Sequence, residues 1–420
     1  MSRAITKYLF FAFVALLLIA SGLALYKNFW STKPFKIGVM TSLTGNMAWR
    51  EKSLLNAAEL AVQEINDSGG LLGRDIELVV RDGESNPQVF AKVAEQLIQD
   101  DEVDVVFGCW TSSCRKSVLP VFEKYDHLLY YPVQYEGLES SKNIIYLGSV
   151  PNQQMTPALE WTFSKLGKKI YLVGSDYVYP RAANQVLKNQ VSALRGKVVG
   201  ESYLPLGSDQ FSAIVEDIKR LEPDAIFNTI NGVSNQHFFK ALRAGGVLSK
   251  DIPTFSFSIS ENEMANFSDE NINGDFIILS YLQGLKNSKN RDFVQSYQQK
   301  FGNDSVPGEA AESIFLGVHL WAKSVIDAGS NKVDQVQRYA SGRSIHGPSG
   351  MLYVDEMTRH SWKYMHIAQI TNGVLKSVWH SKIPVSPVPY PDGQTKEQWQ
   401  HYLDDLKQKW GGKWQAPVSH

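Results

Sequence analysis

Two short polar turns, separated by one helix and one strand, carry the side chains with the most chemical potential in this sequence. The first turn, Cys109–Ser113, follows the apolar run Val103–Gly108, and its hydroxyl groups can cap the helix that begins there. The second turn, Val133–Tyr135, follows the apolar segment Leu128–Pro132. Loops at the carboxyl ends of parallel strands are where open α/β sheets bind ligands. The pattern therefore predicts one edge of a pocket, built from aromatic rings, hydroxyl groups and an amide.

Neither catalysis nor metal binding is indicated by the remaining reactive side chains. The histidines show no metal-ligand spacing, and no Cys or Ser has a recognisable base with an orienting partner, which disfavours an enzyme such as an amidase. The two cysteines, Cys109 and Cys114, can form a disulfide, but we favour a pair of partly buried thiols. Arg115 and Lys116 lie one turn into the helix and are expected to face solvent. No cofactor is predicted.

Composition indicates an ordinary globular protein of more than one domain. The chain has 420 residues, 43% of them hydrophobic and 20% charged, with a formal net charge of −1. This length is sufficient for two domains. Because the charges balance, no nucleic-acid partner is predicted.

The N-terminal segment, residues 1–34, has the features of an export signal. Arg3 and Lys7 precede the uncharged apolar run Tyr8–Leu25. This run is longer than the apolar region of most cleaved signals and about the minimum for a membrane span. A cleaved signal and an uncleaved inner-membrane anchor both remain open, with a slight preference for the anchor. In either case the body from Phe35 onward is predicted to lie outside the cytoplasm, in the periplasm.

Two successive series of alternating strands and helices predict a bilobal α/β protein. Alternation of this kind builds parallel sheets with right-handed crossovers. The predicted architecture is two doubly wound parallel sheets joined by hinge crossings, with the lobes closing around a ligand. We assign residues 35–149 and 278–340 to lobe 1, residues 150–277 and 341–390 to lobe 2, and residues 391–420 to a C-terminal strap and tail.

Three nearly contiguous motifs carry a resemblance to a known family. The segment GCWTSSCRKSVLPVFEKYDHLLYYPVQYEG, followed by NIIYLGSVPNQQ and LVGSDYVYPR, resembles the amide- and urea-binding branch of the type I periplasmic binding proteins. That branch includes the substrate-binding proteins of urea ABC importers and the amide sensor of amidase operons. The resemblance extends from about Phe35 to Tyr390 and implies the type I periplasmic-binding-protein fold.

The resemblance also implies a ligand site on the turns that match the family. The implied ligand-binding residues are Trp110, Ser112, Tyr131, Val133 and Gln134 in lobe 1, Tyr177, Tyr179, Ser260 and Glu261 in lobe 2, and Ala48 and Trp49 on the first loop. Tyr177 and Tyr179 alternate with Val178, so we expect one of the two to point away from the cleft. Glu261 can equally be a carboxylate in the first turn of a helix. Trp49 and Arg50 stand where urea-binding members have small residues, and they could narrow the pocket or add charge to it.

The chemistry of these residues agrees with a small, planar, neutral ligand. Aromatic rings such as Trp110, Tyr131 and Tyr177 offer flat faces, and Ser112 and Gln134 can both donate and accept hydrogen bonds. We expect a protein that delivers urea or a short amide to an inner-membrane ABC permease. The alternative is a sensor of the same fold, held by an uncleaved anchor, that signals to a membrane partner such as a histidine kinase.

Overall fold

The computed structural model describes residues 33–267 and 269–417, and residue 13 alone in the N-terminal segment. The predicted signal or anchor at Tyr8–Leu25 therefore lies, save for that one residue, outside the described residues. Within residues 33–267 and 269–417, no helix combines the length and the apolar character needed to cross a bilayer.

Strands and helices alternate along most of the chain, and their bounds are as follows. The strands are β1 (Phe35–Thr41), β2 (Ile76–Asp82), β3 (Val105–Gly108), β4 (Leu129–Tyr131), β5 (Ile144–Tyr146), β6 (Lys169–Ser175), β7 (Lys197–Leu204), β8 (Ala225–Thr229), β9 (Thr254–Ser256), β10 (Phe276–Leu279), β11 (Ser344–Gly347), β12 (Gly350–Val354), β13 (Ser361–Trp362), β14 (His366–Thr371) and β15 (Val374–His380). The helices are α1 (Ala48–Asp67), α2 (Pro87–Gln99), α3 (Ser112–Lys124), α4 (Pro151–Lys165), α5 (Val178–Ala193), α6 (Ser212–Leu221), α7 (Ser234–Ala244), α8 (Glu261–Met264), α9 (Asp269–Ile272), α10 (Ser288–Phe301), α11 (Glu309–Ala328), α12 (Val333–Ala340) and α13 (Lys396–Lys409).

The first sheet consists of five parallel strands in the order β2-β1-β3-β4-β5. All five consecutive residues from Ile37 to Thr41 of β1 are buried. Continuous burial of this kind is typical of a strand covered on both faces. Helices α1 and α11 pack together, as do α2 and α3. The carboxyl ends of β1, β3 and β4 consequently lie along one edge of the first lobe.

The second sheet has the order β15-β14-β10-β9-β8-β6-β7. Strands β6 to β10 pair in parallel, whereas β14 and β15 are antiparallel additions at one edge. Along β6, Ile170 and Leu172 enter one hydrophobic core while Tyr171 and Val173 enter another. Because side chains alternate between the faces of a strand, both faces of this sheet are covered. The predicted fold class, two α/β lobes with doubly wound parallel sheets, is confirmed.

The two lobes are joined where the chain passes from one sheet to the other. The crossings follow β5, follow β10 and lie between β13 and β14. A small antiparallel sheet, β11-β12-β13, precedes the last crossing, and its Leu352 and Val354 belong to the core around the first sheet. The predicted lobe ranges stay predictions, although this packing places the start of 341–390 beside the first sheet and not the second.

The C-terminal helix α13 packs on the second lobe and leads into a strap across its loops. Trp399 and Leu403 of α13 are fully buried in a core of that lobe. Beyond the helix, Val178 N donates a hydrogen bond to Trp414 O at 3.0 Å, and Ala416 N donates to Asp176 O at 2.9 Å. This pairing ties the chain end to the loop that carries Tyr177.

Candidate ligand cleft

The backbone at the start of the first polar turn has two consecutive residues with positive φ, and the first of them must be glycine. Gly108 has a φ of 131°, and a Cβ there would lie 2.0 Å from Met40 O, so glycine is required. Cys109 follows in the left-handed region at φ 63°, and the chain then turns into α3 with Thr111 Oγ1 accepting from Cys114 N at 3.1 Å. Cys109 and Cys114 form a disulfide with their Cα atoms 5.8 Å apart, so the prediction of free thiols was wrong. The left-handed turn brings the two side chains within bonding range.

Trp110, Ser112 and Tyr131 come together behind this turn. Tyr131 donates a hydrogen bond from its hydroxyl to Trp110 O at 2.8 Å, and all three residues are buried. Ser112 Oγ accepts from Arg115 Nη1 at 3.0 Å. Because a lone pair of Ser112 is engaged in this way, its own O–H remains available to donate to another group.

Arg115 is completely buried, which corrects the prediction that it faces solvent. Its guanidinium makes ion pairs with Glu136 at 2.7 Å and with Glu139 at 2.8 Å, and Lys116 Nζ lies 2.8 Å from the second oxygen of Glu139. Arg115 stands three positions after Ser112, so both lie on the face of α3 that is directed at the second polar turn. The sequence spacing around Arg115 did not predict that Glu136 and Glu139 would form ion pairs with it.

The charge of Glu139 is held in place by this network. Burial raises the pKa of Glu139, but the neighbouring charges of Arg115 and Lys116 outweigh burial and lower the pKa to about 2. The guanidinium of Arg115 also lies over the Tyr135 ring, 4.0 Å from its centroid. The first-lobe edge is therefore a closed set of paired charges and aromatic rings.

The second polar turn reaches towards the other lobe. Val133 is buried, and its carbonyl lies so near Gly148 that a Cβ on that glycine would be only 1.9 Å away. Gln134 is half-buried, and its Nε2 lies 3.5 Å from Ser258 Oγ of the second lobe. Gln134 is consequently one of the side chains that connect the two edges of the cleft.

Tyr177 and Tyr179, the two tyrosines predicted for the second-lobe side of the site, are buried, with exposed fractions of 2% and 3%. Their ring centroids are 6.2 Å apart. The prediction that one of them points away from the cleft stays a prediction, although the strand-like alternation on which it depends ends where α5 begins at Val178. Asn231 Nδ2 donates to the Tyr177 hydroxyl at 2.9 Å and to Ser258 Oγ at 3.2 Å.

The two predicted residues of the polar turn at Ser260 have different surroundings: one lines the cleft, and the other contacts the chain that crosses between the lobes. Ser260 precedes α8 and lines the cavity between the lobes. Glu261 accepts a hydrogen bond from Gln283 N, on the chain that leaves β10. Burial raises the pKa of Glu261 to about 7. Glu261 thus occupies the first turn of a helix and does not line that cavity.

In the first turn of α1, Arg50 is directed into the cleft, and neither Ala48 nor Trp49 lines the cavity between the lobes. Trp49 is 39% exposed, whereas Arg50 is only 1% exposed. Arg50 Nη2 lies 2.6 Å from Glu263 Oε2, which makes a buried ion pair between the lobes. Burial raises the pKa of Glu263 to about 7, despite the opposing charge of Arg50.

A small cavity lies between the lobes, and of the predicted site residues Trp110, Gln134 and Ser260 line it. Its lining residues come from both lobes and from the crossing: Trp110, Gln134, Phe257, Ser258, Ile259, Ser260, Glu263, Leu279, Glu309 and Ala310. The centre of a water-sized sphere can occupy about 10 Å³ of this cavity, which is room for about one water molecule. A larger cavity of about 630 Å³ lies on the outer face of the first lobe, beside Ile65 and Phe315, away from all the predicted site residues.

Several buried polar atoms around the cleft have no hydrogen-bond partner among the described residues. They include the donor Trp110 Nε1, the hydroxyl of Tyr179, and the carboxylate oxygens Glu136 Oε2 and Glu263 Oε1. An unpartnered buried polar group is unfavourable. These atoms therefore indicate a site at which a bound small molecule supplies the missing donors and acceptors.

Sequence reasoning did not include Arg50, Arg115, Asn231, Ser258 or Glu263 among the site residues. A signal existed for two of them, because Asn231 and Ser258 each follow a buried strand, β8 and β9, at the same edge as Tyr177. Arg50 was noted as a residue that could add charge to the pocket, but no local signal indicated its pairing with Glu263, since 213 positions separate the two residues.

Two α/β lobes that enclose a buried polar cleft define a bilobal ligand-binding protein. The chain belongs to the periplasmic binding protein domain family, whose model matches residues 35–396. This confirms the family that the sequence motifs indicated, whereas membership of the urea- and amide-binding branch stays a prediction.

Relatives and solved structures agree with this family. The Leu/Ile/Val-binding protein homolog 6 of Brucella melitensis is 22% identical over 80% of this chain and 87% of its own length. A solute binding protein of an ABC transporter from Rhodopseudomonas palustris, in complex with p-hydroxybenzoic acid, has a TM-score of 0.78 at 21% identity and covers 86% of this chain and 100% of its own. The branched-chain amino acid transporter substrate binding protein of Streptococcus pneumoniae, in complex with isoleucine, has a TM-score of 0.73 at 21% identity and covers 84% and 100%.

Proposed function

We propose that this protein is a periplasmic solute-binding protein that captures urea or a short-chain amide between its lobes and delivers it to an inner-membrane ABC permease. The family supports the general role, and so do the two solved structures, which are named as binding proteins of transporters. The choice of a small neutral ligand is supported by the geometry and the charges of the cleft.

The unpartnered polar atoms of the cleft carry this proposal. A buried polar group without a partner costs about 1–3 kcal/mol, so a fitting ligand has to supply both donors and acceptors. Urea and short amides carry N–H groups for Glu136 Oε2 and a carbonyl for the donors Trp110 Nε1 and Ser112 Oγ. Tyr179 can take either role. The rings of Tyr131 and Tyr177 supply flat faces for a planar molecule.

Charge pairing argues against an amino acid as the ligand. A zwitterion is held most favourably where the site offers an uncompensated cation to its carboxylate and an uncompensated anion to its ammonium group. In the described part of the cleft, Arg115 is already paired with Glu136 and Glu139, and Arg50 is paired with Glu263. Because the cavity has room for about one water molecule, a ligand with few heavy atoms requires less separation of the lobes than isoleucine or a hydroxybenzoate does.

Calorimetric titration of the mature domain with urea, acetamide and formamide, compared with leucine and 4-hydroxybenzoate, tests the proposal. We expect binding of one or more of the small amides and no binding of the other two compounds. Ser112→Ala should weaken that binding by about 5- to 150-fold, which corresponds to the loss of one buried hydrogen bond of about 1–3 kcal/mol.

Ser117→Ala provides the matched control on the same helix, because Ser117 Oγ bonds only to Ser113 O at 2.8 Å and is half-buried away from the cleft. Binding of leucine or 4-hydroxybenzoate without binding of any small amide would contradict the proposed ligand. Release of ammonia from urea or acetamide during the titration would contradict the binding role and favour an amidase.

A membrane-anchored sensor is the second candidate, and the uncharged run Tyr8–Leu25 favours it because this run is about as long as a minimal membrane span. The intact mass of the mature protein, isolated from membrane and periplasmic fractions, separates the two roles. Retention of the N-terminal residues in the membrane fraction supports the sensor, and a shortened chain in the periplasm supports the importer component.

A further inference from the structure

Arg50 is a first-lobe side chain that contacts the second lobe inside the cleft. Its Nη2 lies 2.6 Å from Glu263 Oε2, and Nη1 lies 3.4 Å from Asn231 Oδ1. Nη2 is also 3.4 Å from the carbonyl of Ser258. Ser258 and Glu263 both line the cavity between the lobes, so the guanidinium occupies space directly beside it.

The ion pair with Arg50 is the one salt bridge that the described residues provide for Glu263. Glu263 is 1% exposed, and its Oε1 has no hydrogen-bond partner in the same part of the chain. The nearby first-lobe cations Arg115 and Lys116 are engaged with other carboxylates. Without Arg50, the cleft would therefore contain a buried carboxyl group with no counter-charge beside it.

We propose that Arg50 is a specificity-determining residue of the cleft. Its guanidinium fills the position beside Glu263 and neutralises that carboxylate, so that cations are rejected and a small uncharged ligand is accepted. This inference rests on the proposed function, since it assumes that the interlobe cleft is the ligand site. It adds the residue by which that site would distinguish urea from a cation of the same shape.

Guanidinium is the probe that separates charge from shape, because it has the same planar outline and the same number of heavy atoms as urea. Arg50→Ala removes a guanidinium group from beside Glu263 and leaves a space that free guanidinium fits. The measurement is calorimetric titration with guanidinium chloride at low millimolar concentration, with sodium chloride keeping the ionic strength constant. We expect Arg50→Ala to bind guanidinium at least tenfold more tightly than the wild-type protein does.

Two further variants make the result specific to the ion pair. In the double variant Arg50→Ala with Glu263→Gln, the gain should disappear because the carboxylate is gone. Arg81→Ala is the matched control, since Arg81 makes a half-exposed ion pair with Asp101 at 2.7 Å on the outer part of the first lobe. This control should bind guanidinium no better than the wild type.

Arg50→Gln replaces Arg50→Ala if the alanine variant is not folded, as judged by circular dichroism, because the amide can still hydrogen-bond to Glu263. A folded variant at position 50 that binds guanidinium no more tightly than the wild type overturns the inference. A gain that persists after Glu263→Gln overturns it as well.

The same titrations separate this inference from the proposed ligand. If the wild type binds no small amide but the position-50 variant gains guanidinium binding through Glu263, the role of Arg50 stands and urea or amide binding fails. If the wild type binds urea or an amide and the variant gains nothing, the role of Arg50 alone fails.

Discussion

The two edges of the cleft differ in where the counter-charges of their buried charged groups come from. The first-lobe edge, formed by the turns around Trp110 and Gln134, contains Arg115 with both of its carboxylate partners and a disulfide within the same lobe. The second-lobe edge, formed by Tyr177, Asn231 and the turn at Glu263, holds a buried carboxylate whose cation comes from the first lobe. One edge is electrostatically complete by itself, and the other is completed when the lobes meet.

This difference appears in the pKa values of the buried carboxyl groups. The pKa of Glu139 on the first edge is lowered to about 2, because the charges of Arg115 and Lys116 outweigh the effect of burial. On the second edge, burial raises the pKa of Glu263 to about 7 even though Arg50 is close. We infer that the first edge is preorganised for the ligand, whereas the second edge acquires its final charge state on closure.

The largest expected effect is the destabilisation caused by Arg115→Met. This substitution leaves Glu136 and Glu139 buried with fewer counter-charges, and breaking a buried ion-pair network costs about 3–5 kcal/mol. We expect the free energy of unfolding to fall by that amount, measured by thermal and chemical denaturation. Arg81→Ala breaks a half-exposed pair and should cost under about 1 kcal/mol. If both variants lower the free energy of unfolding equally, the buried network of the first edge stabilises the protein no more than a surface ion pair does, and the comparison fails.

The disulfide of the first edge should have the next largest effect. Replacing Cys109 and Cys114 together by serine removes a short cross-link, for which loop-closure entropy predicts about 2 kcal/mol of lost stability. Ligand affinity should fall as well, because Trp110 and Ser112 lie within the cross-linked turn. Calorimetric binding and thermal denaturation measured on the same sample would show both changes. A loss of stability with unchanged affinity would mean that the disulfide does not preorganise the turn.

A smaller effect is expected when the pH is varied near neutrality. Burial raises the pKa to about 7 in four carboxyl groups, namely Glu51, Glu261, Glu263 and Asp275. Between pH 8 and pH 7 these groups begin to bind protons in the folded protein while the unfolded chain stays ionised. The folded state then binds more protons, so stability rises as the pH falls and is lost again as the pH rises through 7. We expect about 0.4 kcal/mol from each group over this interval.

The two edges give matched variants for this pH series, which is followed by thermal denaturation. Glu263→Gln should reduce the slope, whereas Glu139→Gln should leave the slope unchanged, because Glu139 is ionised in both states above pH 7. Below pH 6.5 part of this gain should be offset, since burial lowers the pKa of His360 and His366 to about 4 and opposes their protonation in the folded state. A slope that responds equally to both glutamate variants would contradict the comparison of the edges.

The smallest effect concerns the C-terminal strap on the second edge. Ending the chain after Gly412 removes the backbone hydrogen bonds that Trp414 and Ala416 make with Val178 and Asp176. We expect a two- to tenfold loss of ligand affinity, which is about the net value of one such bond. Gln415→Ala retains this backbone pairing and should bind like the wild type. An unaltered affinity after truncation would show that the loop of Tyr177 keeps its position without the strap.

The amino-acid sequence by itself determined the order of strands and helices, the two-lobed class of the fold and the location of the polar turns. The mostly apolar strand Val103–Gly108, a hydroxyl cap among Thr111, Ser112 and Ser113, and the strand Leu128–Pro132 are local signals, and the structure has each of them close to its expected place. These features depend on residues a few positions apart, which is the range over which hydrophobic periodicity and capping act.

Tertiary structure decided how the charged and reactive side chains are used. From the sequence alone Arg115 is predicted to be exposed, but it is buried because α3 packs against the turn that carries Glu136. The Cys109–Cys114 bond depends on a left-handed backbone at Cys109. Arg50 meets Glu263 across the cleft only because two separately formed lobes come together there. A long charged side chain is buried when folding brings it an opposite charge, and a partner far away in the sequence leaves no periodic signal.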